Sequence, residues 1–363
     1  MLEPSKFKTG RRAFLSGLCA AGFVPATGWA SVGSPRYLSA AREASGTYVI
    51  VGLGADLSEL FRVVLPARGH AAAAHPDRAE AVAFARRPGV YALVIDCGSG
   101  AVLHRLNAPQ GRHFYGHGAF SRDGSRLYTT ENDFDMARGC IGVWDVSAEY
   151  RRLGEIDSGG VGPHEIRRMP GSDDLVVANG GIETHPDSGR AKLNLPTMRP
   201  NLTYLSSAGA VLEQVELPEL RRNSIRHLAA RHDGLVGFAM QWQGDATVHP
   251  PLLGLHRRGQ NARLLKAIPQ VQRRLRGYGG SIAFGADKQV ALTAPRGGLM
   301  AVFDTDTGKM VSLLDEPDIC GVAGAEQGLI FTTGAGRLGV SGLRRKAVDL
   351  QFDNHLIALS ADL

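Results

Sequence analysis

The sequence predicts an all-β fold: a seven-bladed β-propeller of four-stranded antiparallel blades, closed by the C-terminal strand. Three observations lead there. The 363 residues include 46 Gly and 18 Pro, with 44% hydrophobic and 21% charged residues, a balance that favours short strands and tight turns over a helical bundle. A four-strand pattern recurs along the chain. The two ends of the pattern carry fragments that complete each other.

The repeat is clearest in residues 117–146, HGAFSRDGSRLYTTENDFDMARGCIGVWDV, set against 70–96, HAAAAHPDRAEAVAFARRPGVYALVID. Each opens on His and a short apolar run, passes a charged turn (Arg122-Asp123-Gly124; Pro76-Asp77-Arg78), and enters a second strand, Arg126–Thr130 or Ala81–Ala85. A third strand ends in Asp, Ile141–Asp145 or Tyr91–Asp96, and a fourth follows at Arg152–Ile156 or Val102–Leu106. Pro163–Pro218 repeats the order with a long insertion, Glu183–Pro200, and Ser224–Pro269 repeats it loosely. Gly280–Pro317 supplies Ser281–Phe284, Val290–Thr293, Met300–Asp304 and Met310–Leu314, and Ile319–Phe352 is a compact version. Tyr48–Leu65 reads as about three strands lacking a first, and His355–Leu359 as a first strand with nothing after it. Joined, they complete a seventh unit. Residues 47–363 then divide into blades of about 45 residues, and closing the array protects its sheet edges.

Ahead of the propeller, residues 1–30 read as an export signal and 31–46 as a linker. Lys6, Lys8, Arg11 and Arg12 form a basic start, Ala13–Ala26 is mildly apolar, and Gly28-Trp29-Ala30 suits cleavage after Ala30. The run Thr9-Gly10-Arg11-Arg12-Ala13-Phe14-Leu15 resembles a twin-arginine (Tat) signal, which implies a periplasmic destination with no stable membrane insertion after cleavage. Loss of this segment, with four basic residues and one acidic one, would lower the net charge from +6 to +3. That weakens any nucleic-acid reading, and clusters such as Arg221-Arg222 and Arg273-Arg274 read as solvated surface. Four Cys exclude a disulfide scaffold, and the three beyond the signal, Cys97, Cys140 and Cys320, leave at least one thiol free.

In a propeller the first strand of each blade lines the central channel, and its start shares a face with the loops joining second and third strands. His70, His117, His164, His227 and His355 all fall at or near such starts, with Tyr278 and Cys320 in the remaining two blades. The loops of that face add Glu131, Asp133, Asn179, Glu183 and His185, and Glu165 follows His164 directly. These residues form the expected ligand-binding mouth. His117, His164, His227 and Glu131 are the candidate metal ligands, with iron or another transition metal as candidate cofactor. Three readings stand for the histidines: partners for backbone carbonyls or buried carboxylates that tie blades together, ligands for a metal or anion, or acid–base groups. His75 and His232 fall in first-to-second-strand turns of the opposite face and read as solvated. The sequence lacks the G-x-S-x-G elbow, the phosphate loop and the C-x-x-C-H haem site. The insertion Glu183–Pro200 is expected to cover the mouth.

The run His113–Ser121, followed by Asp123-Gly124, Tyr128, Thr130–Asp133 and Gly142–Asp145, resembles a bacterial family of Tat-exported propellers catalogued as domain-of-unknown-function family 1513. Gly162–Glu165, Ala178–Ile182, Thr184–Asp187, Leu193–Leu195 and Ser224–Leu228 extend the likeness over nearly all of the chain beyond the signal. The resemblance implies a fold similar to WD40-like and quinoprotein-like propellers. It also implies a periplasmic setting among iron-acquisition proteins, of which imelysin-type and dihaem oxidoreductase-type proteins are the expected partners. Two functions follow as expectations: a binding or scaffold protein using the His/Glu/Asp-rich face, or a quinoprotein-like or metal-dependent oxidoreductase using the same face. The two units within Gly280–Phe352 lack the histidine, so a complete ring of ligands is not expected.

Overall fold

The computed structural model describes residues 28–85, 89–189, 191–286, 288–343 and 345–359. The twin-arginine run lies outside them. Seven four-stranded antiparallel sheets follow one another along the chain. Blade 1 takes β1 (Tyr37–Glu43), β2 (Tyr48–Leu53) and β3 (Glu59–Leu65) from the N-terminal side. Blade 2 is β4 to β7 (Gly69–Ala74, Glu80–Ala85, Tyr91–Asp96, Val102–Asn107), and blade 3 is β8 to β11 (Arg112–Phe120, Arg126–Asp133, Arg138–Asp145, Arg151–Asp157). Blade 4 is β12 to β15 (Pro163–Arg168, Leu175–Asn179, Asn201–Leu205, Val211–Glu216), and blade 5 is β16 to β19 (Asn223–Ala230, Val236–Trp242, Leu253–His256, Arg263–Leu265). A short helix, α1 (Pro269–Arg274), leads to blade 6, β20 to β23 (Ser281–Phe284, Gln289–Ala294, Leu299–Asp304, Met310–Asp315). Blade 7 is β24 to β27 (Ile319–Ala325, Gly328–Thr333, Arg337–Val340, Arg345–Ala347), and β28 (Leu350–Ala358) returns to blade 1.

Closure is the pairing of β28 with β1, Tyr37 opposite Ala358 through Glu43 opposite Leu350. The C-terminal strand is therefore the channel strand of the first blade, as expected. The N-terminal side of that blade is corrected in two respects. Residues 31–46, expected as a linker, hold β1, and Tyr48–Leu65 holds two strands rather than three. The run Tyr-Leu-Ser-Ala-Ala-Arg-Glu alternates weakly on its own, and it becomes a strand because β2 and β28 satisfy its backbone from both sides. Of the expected cleavage region, Gly28 bridges Arg78, and the Trp29 indole donates to the carbonyl of His75 at 2.8 Å.

The core is distributed around the ring. Seven apolar clusters are present among the described residues, each joining two neighbouring blades, and the one containing Val49, Ala323, Ile330 and Phe352 seals blade 7 to blade 1. Second strands such as β13 are buried on both faces and read as continuous apolar runs, whereas the outermost strands β11, β15 and β23 are largely open. Strands β28, β4, β8, β12, β16, β20 and β24 contact one another in turn and enclose the channel.

Candidate metal centre in the channel

The channel strands are not regular. The pairing of β4 with β5 shifts register between Gly69 and Ala72, that of β8 with β9 between Phe114 and Gly118, and that of β12 with β13 between Pro163 and Glu165. Shifts recur between Ile225 and His227 in β16, and opposite Ser39–Ala41 in β28, where Phe352 and Leu356 bracket His355. Each such bulge contains or borders one of the five predicted histidines. A bulge leaves a residue unpaired and turns its side chain off the sheet face. On a channel strand the only open direction is inward. Of the two blades that bring no histidine, β20 pairs without a shift, whereas β24 shifts between Ile319 and Val322, around Cys320. Second-strand hydroxyls hold the re-aimed backbone: Thr130 Oγ1 donates to the carbonyl of His117 at 3.2 Å, and Ser39 Oγ to that of His355 at 2.8 Å. Gly116 sits at φ +99°, where a Cβ would lie 2.6 Å from Cδ2 of His70, so glycine at this position lets β8 approach His70 and set His117 against it.

The five rings form one cluster. Centroids lie 4.5 Å apart for His117–His355, 4.7 Å for His70–His355, 4.8 Å for His164–His227, 5.0 Å for His227–His355 and 5.1 Å for both His70–His117 and His117–His164. His117, His227 and His355 are 3%, 3% and 4% exposed. Two carboxylates stand beside them. Glu165 Oε2 lies 3.4 Å from Nδ1 of His227 and 3.9 Å from Nδ1 of His117, while its Oε1 accepts from Nε of Arg167 at 2.7 Å. Asp353 Oδ1 lies 3.9 Å from Nδ1 of His70, and its Oδ2 accepts from Nε of Arg68 at 2.8 Å.

Burial sets the charge state. It pushes the His117, His164 and His355 imidazoles well below their ordinary value, and the neighbouring imidazoles, with Arg226 beside His164, push the same way. His227 is lowered by burial too, against the pull of Glu165. For Glu165 burial acts upward, but Arg167 and His227 outweigh it and hold the carboxyl below its usual range. At neutral pH His117, His164, His227 and His355 are therefore neutral imidazoles beside an ionised Glu165, the protonation state a metal needs. His117 Nε2, His164 Nδ1, His227 Nε2 and His355 Nε2 are buried without a hydrogen-bond partner. Leaving a buried polar atom unpaired costs about 1–3 kcal/mol, and several together in one place describe donors awaiting a shared acceptor. One ligand atom each from His117, Glu165, His227 and His355 lies within 4.8 Å of the others, and the same holds for His70, His117 and His164. His117 belongs to both sets.

The rest of the expected mouth is engaged elsewhere. Glu131, expected among the metal ligands, is fully buried but turned into its own blade, where Oε1 accepts from Nη1 of Arg152 at 2.7 Å and from Oγ1 of Thr129 at 2.8 Å. Asp133 pairs with Arg112 at 2.9 Å and Arg138 at 3.3 Å. Asn179 is hydrogen-bonded to Ser158 and Asn201. The insertion containing Glu183 bridges three blades: Asn132 donates to the carbonyl of Thr184, His185 faces Asp135 at 3.5 Å, and Lys192 donates to Gln243. Glu165 takes the place expected for Glu131, for a geometric reason. Side chains of a second strand point into the packing between blades, whereas those beside a channel bulge point to the axis. Sequence reasoning missed Asp353 and Arg167 as parts of the centre, although each lies two residues from one of its members along a channel strand. Tyr278 touches the neighbourhood through a 3.4 Å bond from Asn354, and Cys320 stays a thiol, its value pushed up to about 12 by burial.

His75 corrects its expectation of solvation: it is 5% exposed, and Nδ1 accepts the backbone N–H of Asp77 and Arg78 at 3.1 and 2.9 Å. His232 is exposed, as expected. His256, for which position in the repeat carried no argument, is buried against Tyr204.

A family model described as "Protein of unknown function (DUF1513)" matches residues 63–359. The chain belongs to this family. Among curated proteins no sequence matches the DUF1513 chain. Among solved structures it is similar to "Kuenenia stuttgartiensis Hydrazine Synthase", with a TM-score of 0.57 at 13% identity over 80% of this chain and 87% of that one. It is similar also to "Structure of U3-55K", with a TM-score of 0.57 at 13% identity over 88% and 90% of the two chains. At such identity these likenesses establish the fold the DUF1513 chain shares with them and nothing of its chemistry.

Proposed function

We propose that this propeller is a metal-binding protein of the periplasm, exported through its twin-arginine segment, that holds a first-row transition metal, iron foremost, in the channel. The observation that carries the reading is the convergence of five imidazoles, those of His117, His227 and His355 buried, and of Glu165, with ring nitrogens left unpartnered. Neutral imidazole suits iron, copper, nickel and zinc, and one carboxylate among them favours the harder members. His117, Glu165, His227 and His355 would hold the ion. His70, braced by Asp353, and His164 would complete or extend the set. The rigid ring and the cross-blade insertion offer a fixed surface to partners, and the resemblance makes imelysin-type and dihaem oxidoreductase-type proteins the ones to try.

The test is elemental analysis of protein purified from its native compartment, followed by competitive titration of the metal-free protein with Fe(II), Zn(II) and Cu(II). Roughly one equivalent or more of metal should be retained, and His117→Ala and His355→Ala should each weaken affinity by about a hundredfold, in line with loss of a ligand. Both variants should melt within a few degrees of the metal-free parent, because Nε2 of each imidazole has no hydrogen bond to lose. Glu131→Gln should leave metal affinity unchanged. A metal-free native protein that takes up none of the three ions would sink the reading.

A further inference from the structure

Beyond the histidines, toward the face that carries the first-to-second-strand turns, the channel widens into a cavity of about 650 Å³. This lies within the usual range for small-molecule sites. Its walls come from all seven channel strands and are mostly small or apolar, among them Ala73, Ala230, Phe284 and Val322. Its charged lining has one sign: Arg122, Arg167 and Arg168 border it, and no Asp or Glu among the described residues does. The three differ in what they have left to offer. Arg168 Nη1 donates to the carbonyls of Met169 and Ser172, whereas Arg167 makes a single ion pair among the described residues, through Nε to Glu165, and lines the cavity next to the histidine cluster.

We infer that this cavity binds a small carboxylate with an apolar body, its acid group on Arg167 and its body along the apolar wall. The chemistry follows from the lining. A neutral apolar guest would leave the Arg167 fork unpaired, a cation would meet three arginines, and a highly polar anion would leave the wall unused. A guanidinium with free terminal nitrogens is matched by a carboxylate in a charge-assisted pair. This goes beyond the metal reading and stands without it, since the cavity and Arg167 are formed by the protein alone.

Calorimetric titration of octanoate, octan-1-ol and octylamine into the metal-free full-length protein tests it. Octanoate should bind at least about tenfold more tightly than octan-1-ol, and octylamine should not bind. Arg167→Gln should remove that preference. Ala230→Phe, which narrows the cavity and leaves the Arg167–Glu165 pair in place, should weaken octanoate binding while metal uptake persists. Octanoate binding no tighter than octan-1-ol, or unaffected by either substitution, would overturn the inference. A protein that takes octanoate but no metal upholds the cavity and refutes the metal reading, and the converse refutes the cavity alone.

Discussion

Histidine does two kinds of work in this chain, and what separates them is whether each ring nitrogen has a partner. His75 is a structural group: its Nδ1 accepts two backbone N–H groups of the turn that follows, and burial lowers its value to about 4. The unfolded value is 6.5, so only the unfolded chain takes up a proton between about 6.5 and 4. The stabilisation from this residue is whole above 6.5 and is lost as pH falls toward 4. Denaturant midpoints at pH 7.5 and 5 should therefore differ less for His75→Asn, which keeps an acceptor but cannot titrate, than for the parent; equal differences would contradict the assignment. The channel histidines are the opposite case. One ring nitrogen each of His117, His164, His227 and His355 is buried without a hydrogen-bond partner, an arrangement that is costly unless something outside the chain answers it.

At the scale of the strand, the bulge is the device that makes the centre. β20 pairs without a shift and brings no imidazole to the axis. One extra residue in β4, β12 and β16, and two in β8 and β28, accompany the five imidazoles brought to the axis. β8 depends most on backbone freedom, because Gly116 combines a left-handed φ with a close approach to His70. Gly116→Ala should lower stability by roughly 1–3 kcal/mol from backbone strain and displace His70. The loss of metal affinity should then exceed that of His70→Ala, since His117 is disturbed as well. A variant that binds metal like the parent would show that the bulge tolerates a side chain and that the glycine is incidental.

For the molecule as a whole, the decisive bond is between its ends. β28 supplies blade 1 with its channel strand, covers the edge of β1, buries Phe352, Leu356 and Ile357, and brings His355 and Asp353 to the centre. Truncation after Asp349 should thus do more than shorten a sheet. It opens the ring, bares a strand edge in β1, and should yield aggregated protein or a melting temperature lower by about 10 °C or more, read by gel filtration and calorimetry. A monomeric truncation melting near the parent would mean that the inter-blade clusters alone hold the ring.

Much of this was legible in the residues. Repetition of apolar runs, charged turns and terminal Asp residues discloses the strand order, because hairpin-linked strands need only local pairing and turn chemistry. The placement of His70, His117, His164, His227 and His355 follows from the same register. What the chain determined by itself was therefore everything with a period. What only the tertiary structure decided was direction and completion: that Glu165 rather than Glu131 faces the histidine cluster, that Tyr37–Glu43 is a strand, that Asp353 and Arg167 stand beside that cluster, and that His75 is enclosed. A side chain's direction on a strand reverses with one inserted residue, and a weakly alternating segment becomes a strand only when neighbours take up its backbone groups. Both depend on contacts between parts of the chain far apart in sequence, and so appear only once the ring has closed.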